Sequence, residues 1–265
     1  MLNLGKTDHQ RLTILIHGTQ YTISVLEAAT LLQLPKGDAA KCLAILVKAG
    51  WLSRVRRGVY LPYQGNVIAD DTPLYESWVL AKTLFQPCYV GGMAAAHHWN
   101  MVDKYPEQNY VFTTRRPRNR HPKIMRKQYS IRTVAPDAMF GLQPASGHHE
   151  SACISDPSRT MIDFLIDPSL AGGIHEVIGI FKKYLKSNHR DLKLLFDYAR
   201  RLYNGAVLKR LGFLLERLAP EARDITMLCK YSITTGYVKL DPKLDAEKLI
   251  TRWNLWVPDE LDIIL

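Results

Sequence analysis

Gly50–Tyr63 reads GWLSRVRRGVYLPY, and the fold of the first part of the chain turns on it. Two runs rich in β-branched and aromatic residues, Trp51–Val55 and Val59–Tyr63, flank Arg56-Arg57-Gly58, so the stretch predicts a two-stranded hairpin. Gly58 supplies the residue that tolerates a positive φ, and the turn gathers Arg54, Arg56 and Arg57. Just upstream, PKGDAAKCLAILVKAG predicts a helix with Pro35 near its start and Gly50 just past its end. A helix that runs straight into a basic hairpin is the pattern of a winged helix-turn-helix. The plainer reading of such a hairpin is a solvated edge guarded against strand pairing.

The preceding residues fit the first reading. Leu4–His17 predicts a helix ending at Gly18, and Ser24 with Glu27 three residues on predicts a capping box that opens VLEAATLL. Ile23, Leu26, Ala29, Leu31 and Leu32 are expected in a small core. On the third helix Cys42, Leu43, Leu46 and Val47 are expected inside, which leaves Lys36, Asp38, Ala39 and Lys41 outside. A recognition helix reads base edges with its N-terminal side chains. Lys36 and Lys41 then reach phosphate or guanine, Ala39 permits close approach, and Arg54, Arg56 and Arg57 grip the flanking backbone or enter the minor groove. These six are the expected DNA-binding residues.

Charge supports a polyanionic partner without naming it. The chain of 265 residues carries a net +10; residues 1–66 hold eight Lys/Arg against three Asp/Glu, and the remainder 27 against 22. Each part is therefore +5. Cys42, Cys88, Cys153 and Cys229 lie far apart without a C-x-x-C pair, which reads as reduced thiols in a cytoplasmic protein rather than a disulfide frame or zinc site. Met1–Ile16 is too polar for a signal peptide, and no apolar run reaches the roughly 18–20 residues of a membrane span.

Beyond residue 66, Thr72 and Pro73 are expected to open a helix, PLYESWVLAKTLF. YVGGMAAAHHWNM predicts a tight entry into another. His97-His98 point about 100° apart on a helix and have no second ligand pair, and His148-His149 has no cage nearby, so no metal site is expected at either. QNYVFTT and IMRKQYSIRTVAP read as strands. Between Arg115 and Arg132 the chain carries eight Lys/Arg and no acid. Of these, Arg115, Arg116, Arg118, Arg120, Lys123, Arg126 and Lys127 form an expected nucleic-acid or partner patch, because cations without acids repel unless a partner neutralises them.

SACISDPSRTMIDFL predicts a strand, a capped entry with Ser158 as a candidate cap, and a helix whose Arg159 and Asp163 sit four apart and can pair. GIHEVIGIFKKYLKSN, DLKLLFDYARRLYN and GAVLKRLGFLLERL predict three further helices, the last ended by Pro220. The tail, YSITTGYVKLDP and Ile250–Val257, reads as strand. Core packing is the expected role of Trp253 and Trp256.

The blocks ISDPSRTMIDFLIDPSLAGGIHEV and VLKRLGFLLERL, behind a winged helix ending in RRGVY, resemble the AbiE-type antitoxin family, the antitoxin half of type IV toxin–antitoxin pairs. The resemblance spans about residues 20 to 240. Its most specific parts are Asp156–Asp163, Gly172-Gly173 and Leu208–Glu216. It implies an N-terminal winged helix that binds inverted repeats in its own promoter and represses the operon. It also implies a C-terminal domain that counteracts a nucleotidyltransferase-like toxin. Arg159 and Asp163 match the family's RT-x-x-D element, Arg210 and Glu216 its RLG-x-x-L-E element, and both pairs are expected to define the fold. The resemblance assigns no active site.

The expectation is thus an α+β protein: a winged helix over 1–66 and a mixed α/β antitoxin domain over 67–265, with no cofactor and no catalytic residue. It is expected to be a cytoplasmic monomer in solution, of which an inverted repeat would seat two copies. Two rivals exist. A ligand-responsive regulator would have no toxin gene beside it. A metal-dependent nuclease needs carboxylates and a lysine gathered on adjacent strands, and no such set, Walker loop or G-x-S-x-G occurs.

Overall fold

The computed structural model describes residues 5–19, 22–62, 74–124, 127–145 and 152–259. The chain is α+β and divides into two compact units, Met1–Leu84 with Lys123–Lys127, and Phe85–Pro122 with Gln128–Leu265. This division differs from a boundary at residue 66: helix α4 (Leu74–Phe85) falls with the first unit up to Leu84. The expected helix start at Thr72 and Pro73 lies outside the described residues.

In the first unit the order is α1 (Lys6–Gly18), β1 (Ile23–Ser24), α2 (Val25–Leu32), α3 (Lys36–Lys48), β2 (Leu52–Arg56) and β3 (Val59–Pro62). The strands form an antiparallel sheet in the order β1-β3-β2. The capping box is present: Ser24 Oγ accepts from Glu27 N (3.1 Å) and Glu27 Oε2 accepts from Ser24 N (2.7 Å). It fixes where α2 starts, one residue after β1 ends. At the end of α3, Gly50 takes φ +82°, which lets Gly50 N–H reach Val47 O (3.0 Å) and Trp51 N–H reach Leu46 O (2.9 Å). Both are the bonds of a Schellman cap, and the reversal they make sends the chain directly into β2.

Leu12, Leu15, Ile23, Ala28, Ala39, Cys42, Leu43, Leu46, Leu52 and Tyr60 close this core. Two inward assignments change. On α2 the buried residue is Ala28, while Leu26 is exposed. On α3 Ala39 is wholly buried, so it belongs to the core with Cys42, Leu43 and Leu46 and not to the outer surface. The cause is helical spacing: positions 39, 42, 43 and 46 lie on one face, and a small residue opens that stripe.

The second unit is built on a sheet in which β7 (Lys127–Thr133), β5 (Gln108–Thr113), β4 (Cys88–Gly91), β9 (Cys153–Ser155) and β8 (Leu142–Pro144) lie side by side in that order. β6 (Lys123–Ile124), a two-residue strand between β5 and β7 in sequence, falls with the first unit. β4 runs parallel to β9 and antiparallel to β5, and β5 runs parallel to β7. The helices are α5 (Met93–His98), α6 (Pro157–Ile166), α7 (Ile174–Lys186), α8 (Leu192–Arg201), α9 (Gly205–Leu218) and α10 (Arg223–Ser232). Residues Pro157–Leu165 of α6 are all buried, as befits a helix surrounded on every side. The tail adds β10 (Val238–Lys239), β11 (Lys248–Ile250) and β12 (Leu255–Val257), in sheet order β10-β12-β11. Helix α10 occupies residues where sequence patterning gave no helix. No described helix is long and apolar enough to cross a membrane.

Candidate nucleic-acid interface

On α3 the outward face carries Lys36, Asp38, Lys41 and Lys48, all exposed, with Ile45 among them. Pro35 stands at the N-cap, so the first residue of the helix already presents a cation. Lys41 Nζ lies 3.0 Å from Asp38 Oδ1, with both side chains more than half exposed. A pair of that kind contributes well under about 1 kcal/mol, so Lys41 is free to exchange its partner.

The hairpin carries the remaining three cations. Arg54 and Arg56 are exposed on β2, and Arg57 sits at the turn with Gly58, whose φ is +81°. A register shift between Arg54 and Arg56 marks a bulge, which twists the hairpin tip. The three arginines are not equivalent. Arg56 Nη1 donates to the carbonyl of Leu84 (3.1 Å), near the C-terminus of α4, where a cation also meets the negative end of the helix dipole. Arg54 and Arg57 make no such bond among the described residues. Of the six expected DNA-binding residues, Lys36, Lys41, Arg54 and Arg57 are available to a ligand, Arg56 is braced, and Ala39 is buried.

The basic run that begins at Arg115 is a structured loop. Thr113 Oγ1 accepts from Arg115 N (3.2 Å), and Asn119 Oδ1 from His121 N (2.8 Å). Ile131 N–H to Arg120 O (2.7 Å) and Tyr129 N–H to Pro122 O (3.0 Å) lay its second half along β7. Arg115, Arg116, Arg118 and Arg120 are exposed, and none pairs with an acid among the described residues. Lys123 is exposed as well, Lys127 is half-buried, and Arg126 lies outside the described residues. Arg132, at the foot of the loop, faces Asp167 at 3.4 Å.

The motif residues of the second unit hold the fold together. Arg159 is 1% exposed. Its Nε donates to Asp163 (3.0 Å), Nη1 to the carbonyls of Ala138 (2.7 Å) and Phe140 (3.2 Å), and Nη2 to the Tyr89 hydroxyl (2.8 Å). The Phe140 ring lies 4.6 Å from the guanidinium carbon. Burial pushes the Asp163 carboxyl up, against the opposing pull of Arg159. The cap of α6 is Asp156, which accepts from Arg159 N (2.7 Å) and from the Tyr198 hydroxyl (2.8 Å). Ser158, the candidate cap, instead bonds the Tyr184 hydroxyl (2.8 Å). Arg210 donates to the last carbonyls of α6, Leu165 (2.6 Å) and Ile166 (3.1 Å), and to Lys239 O (2.8 Å). Glu216 accepts from Trp253 Nε1 (2.6 Å), and a Cβ on Gly212 would overlap the Trp253 ring. Asp241 accepts from Ile174 N (2.9 Å) and so caps α7 from 67 residues away. Sequence reading missed Asp241, Tyr89 and Tyr198 and offered Ser158 as the cap of α6, where Asp156, directly before Pro157, is the cap.

Among the described residues no cluster of His, Cys, Asp and Glu could hold a metal ion. No family model matches the chain, and no curated protein matches it.

Proposed function

We propose that the first unit is a winged helix-turn-helix that binds promoter DNA, and that the chain is the antitoxin of a type IV pair. In this reading it represses its own operon, and its second unit counteracts a nucleotidyltransferase-like toxin. The observation that carries the DNA reading is the order α1-β1-α2-α3-β2-β3 with its β1-β3-β2 sheet, which leaves the N-terminal half of α3 and the hairpin tip outward and basic. That is where a winged helix places its groove-reading helix and its backbone-gripping wing. Lys36 and Lys41 contact the major groove, and Arg54 and Arg57 the flanking backbone. The exposed Arg115, Arg116, Arg118 and Arg120 of the second unit suit phosphate contacts of their own.

The antitoxin reading rests on the resemblance of Asp156–Asp163, Gly172-Gly173 and Leu208–Glu216. Of these, Asp156–Asp163 and Leu208–Leu215 are committed to burial and capping, which favours a binding protein over an enzyme. Two measurements test the proposal. In fluorescence titrations with the chain's own promoter, Arg57→Ala lowers the slope of log affinity against log salt by about 0.9, one phosphate contact. An unchanged slope removes the wing from the interface. Co-expression with the adjoining gene tests the rest: toxicity relieved by this chain supports the antitoxin reading, and a harmless neighbour refutes it.

A further inference from the structure

We infer that the second unit carries a stacking platform for single-stranded RNA, formed by Tyr203, Tyr231 and Tyr237. These rings are 94%, 79% and 61% exposed. Contacts of their neighbours bring them together. A Cβ on Gly205, two residues past Tyr203, would lie 2.6 Å from Thr234 Oγ1. Thr234 is three residues past Tyr231 and three before Tyr237, so each ring stems from backbone at most about 10 Å along the chain from that contact.

The base of the platform is rigid. Lys209 Nζ, buried on α9, donates to Thr234 Oγ1 (3.2 Å) and to the Gly236 carbonyl. Asn254 Nδ2 donates to the carbonyls of Thr234 and Thr235, each at 3.3 Å. Ligand binding therefore orders little backbone, which lowers its entropic cost.

Tyr203 is the least expected of the three. It holds φ +50° in the turn between α8 and α9, a conformation in which glycine is unstrained and a Cβ is not. Its side chain contributes almost nothing to the core. Core packing therefore does not account for an aromatic ring at this position.

Charge and chemistry select the ligand. Residues 198–210 and 225–239, which carry the three rings, contain no Asp or Glu. Arg200, whose carbonyl accepts from Tyr203 N (3.2 Å), is an exposed cation beside them, and Lys239, two residues past Tyr237, is exposed with its Nζ donating to the Leu244 carbonyl (3.0 Å), a surface bond that a phosphate can replace. Aromatic faces interleaved with cations suit a single strand, whose bases stack while its phosphates meet the charges. Polar residues (Asn204, Thr234, Thr235) flank the contact, and Met227 and Leu228, exposed beside Tyr231 on α10, extend the surface with apolar faces on which bases also stack. The hydroxyls of the three tyrosines and of Thr235 have no hydrogen-bond partner among the described residues, and a ribose 2′-hydroxyl satisfies such groups where deoxyribose does not.

The test uses the full chain and a fluorescein-labelled oligouridylate, with its deoxy counterpart and the promoter duplex alongside. Wild-type protein binds the RNA saturably and more tightly than the DNA single strand. Tyr203→Ala, Tyr231→Ala and Tyr237→Ala each weaken RNA binding by about 5- to 100-fold, with circular dichroism unchanged because the rings are exposed. Tyr231→Phe keeps most of the affinity and narrows the preference for RNA. Promoter binding is unaffected in all four variants, and Arg57→Ala leaves RNA binding intact, so this inference and the promoter reading fail separately. Absence of saturable RNA binding, equal affinity for the two single strands, or alanine variants that bind like wild type would each overturn it.

Discussion

Helices α3 and α6 both open on a proline and carry a basic residue in their first turn, yet they use that charge in opposite ways. Lys36 on α3 stands in solvent, with Lys41 one turn further on beside an acid it can release. Arg159 on α6 is sealed between the Phe140 and Tyr89 rings, and its donors are committed to Asp163, two carbonyls and a hydroxyl. Residue type does not separate an available cation from a bracing one. Burial and the fate of each N–H do. The same criterion divides the hairpin itself, where Arg56 is tied to α4 and Arg57 is not.

The comparison breaks most visibly at Arg159. Arg159→Met leaves the Asp163 carboxylate buried without its cation, and such a loss costs about 3–5 kcal/mol. Urea denaturation of the full chain followed by tryptophan fluorescence reads it; an effect below 1 kcal/mol would place Arg159 with the surface cations. Next comes Gly212→Ala, which overpacks against the buried Trp253 indole and costs about 1–3 kcal/mol in the same assay. A neutral outcome there would mean that the tail readily gives way. Ser24→Ala removes half of the capping box and lowers the stability of the first unit by about 1 kcal/mol. Smallest is the contrast within the wing. Arg56→Ala lowers the melting temperature of the first unit, whereas Arg57→Ala leaves it unchanged and alters only the salt dependence of DNA binding. Equal melting temperatures for the two variants would erase the distinction between braced and free.

What was legible in the sequence was local. Ser24 and Glu27, Pro35 and Gly50, and the pair Arg159 and Asp163 all act over four residues or over one helix, where spacing dictates geometry. The hairpin was legible for the same reason. Ala39 was not, because a small residue at the edge of an apolar stripe fits either face. Helix α10 was hidden by an inverted pattern: Thr226 and Cys229 point inward while Met227, Leu228 and Tyr231 face solvent. Asp241 at the start of α7, Lys239 under Arg210 and Trp253 against Gly212 join residues 29 to 67 positions apart or share no local signature, and only the folded chain brings them together. The RNA platform escaped for the same reason, since its rings come from α10, from the loop beyond it and from the turn before α9.

Trp253 against Gly212 has a consequence for the order in which the protein matures. The cluster that packs α1, α2 and α3 together is drawn from residues up to Tyr60, whereas α7, α6 and α9 wait for Asp241, Lys239 and Trp253. On a ribosome adding about 5–20 residues per second, nearly two hundred codons separate Tyr60 from Trp253. For that interval, on the order of ten seconds or more at those rates, the nascent chain has its first core folded while its other half is still open. A ribosome stalled or lost within that stretch releases a fragment whose first core is complete and whose second is not. Translation itself thus staggers the arrival of the two cores.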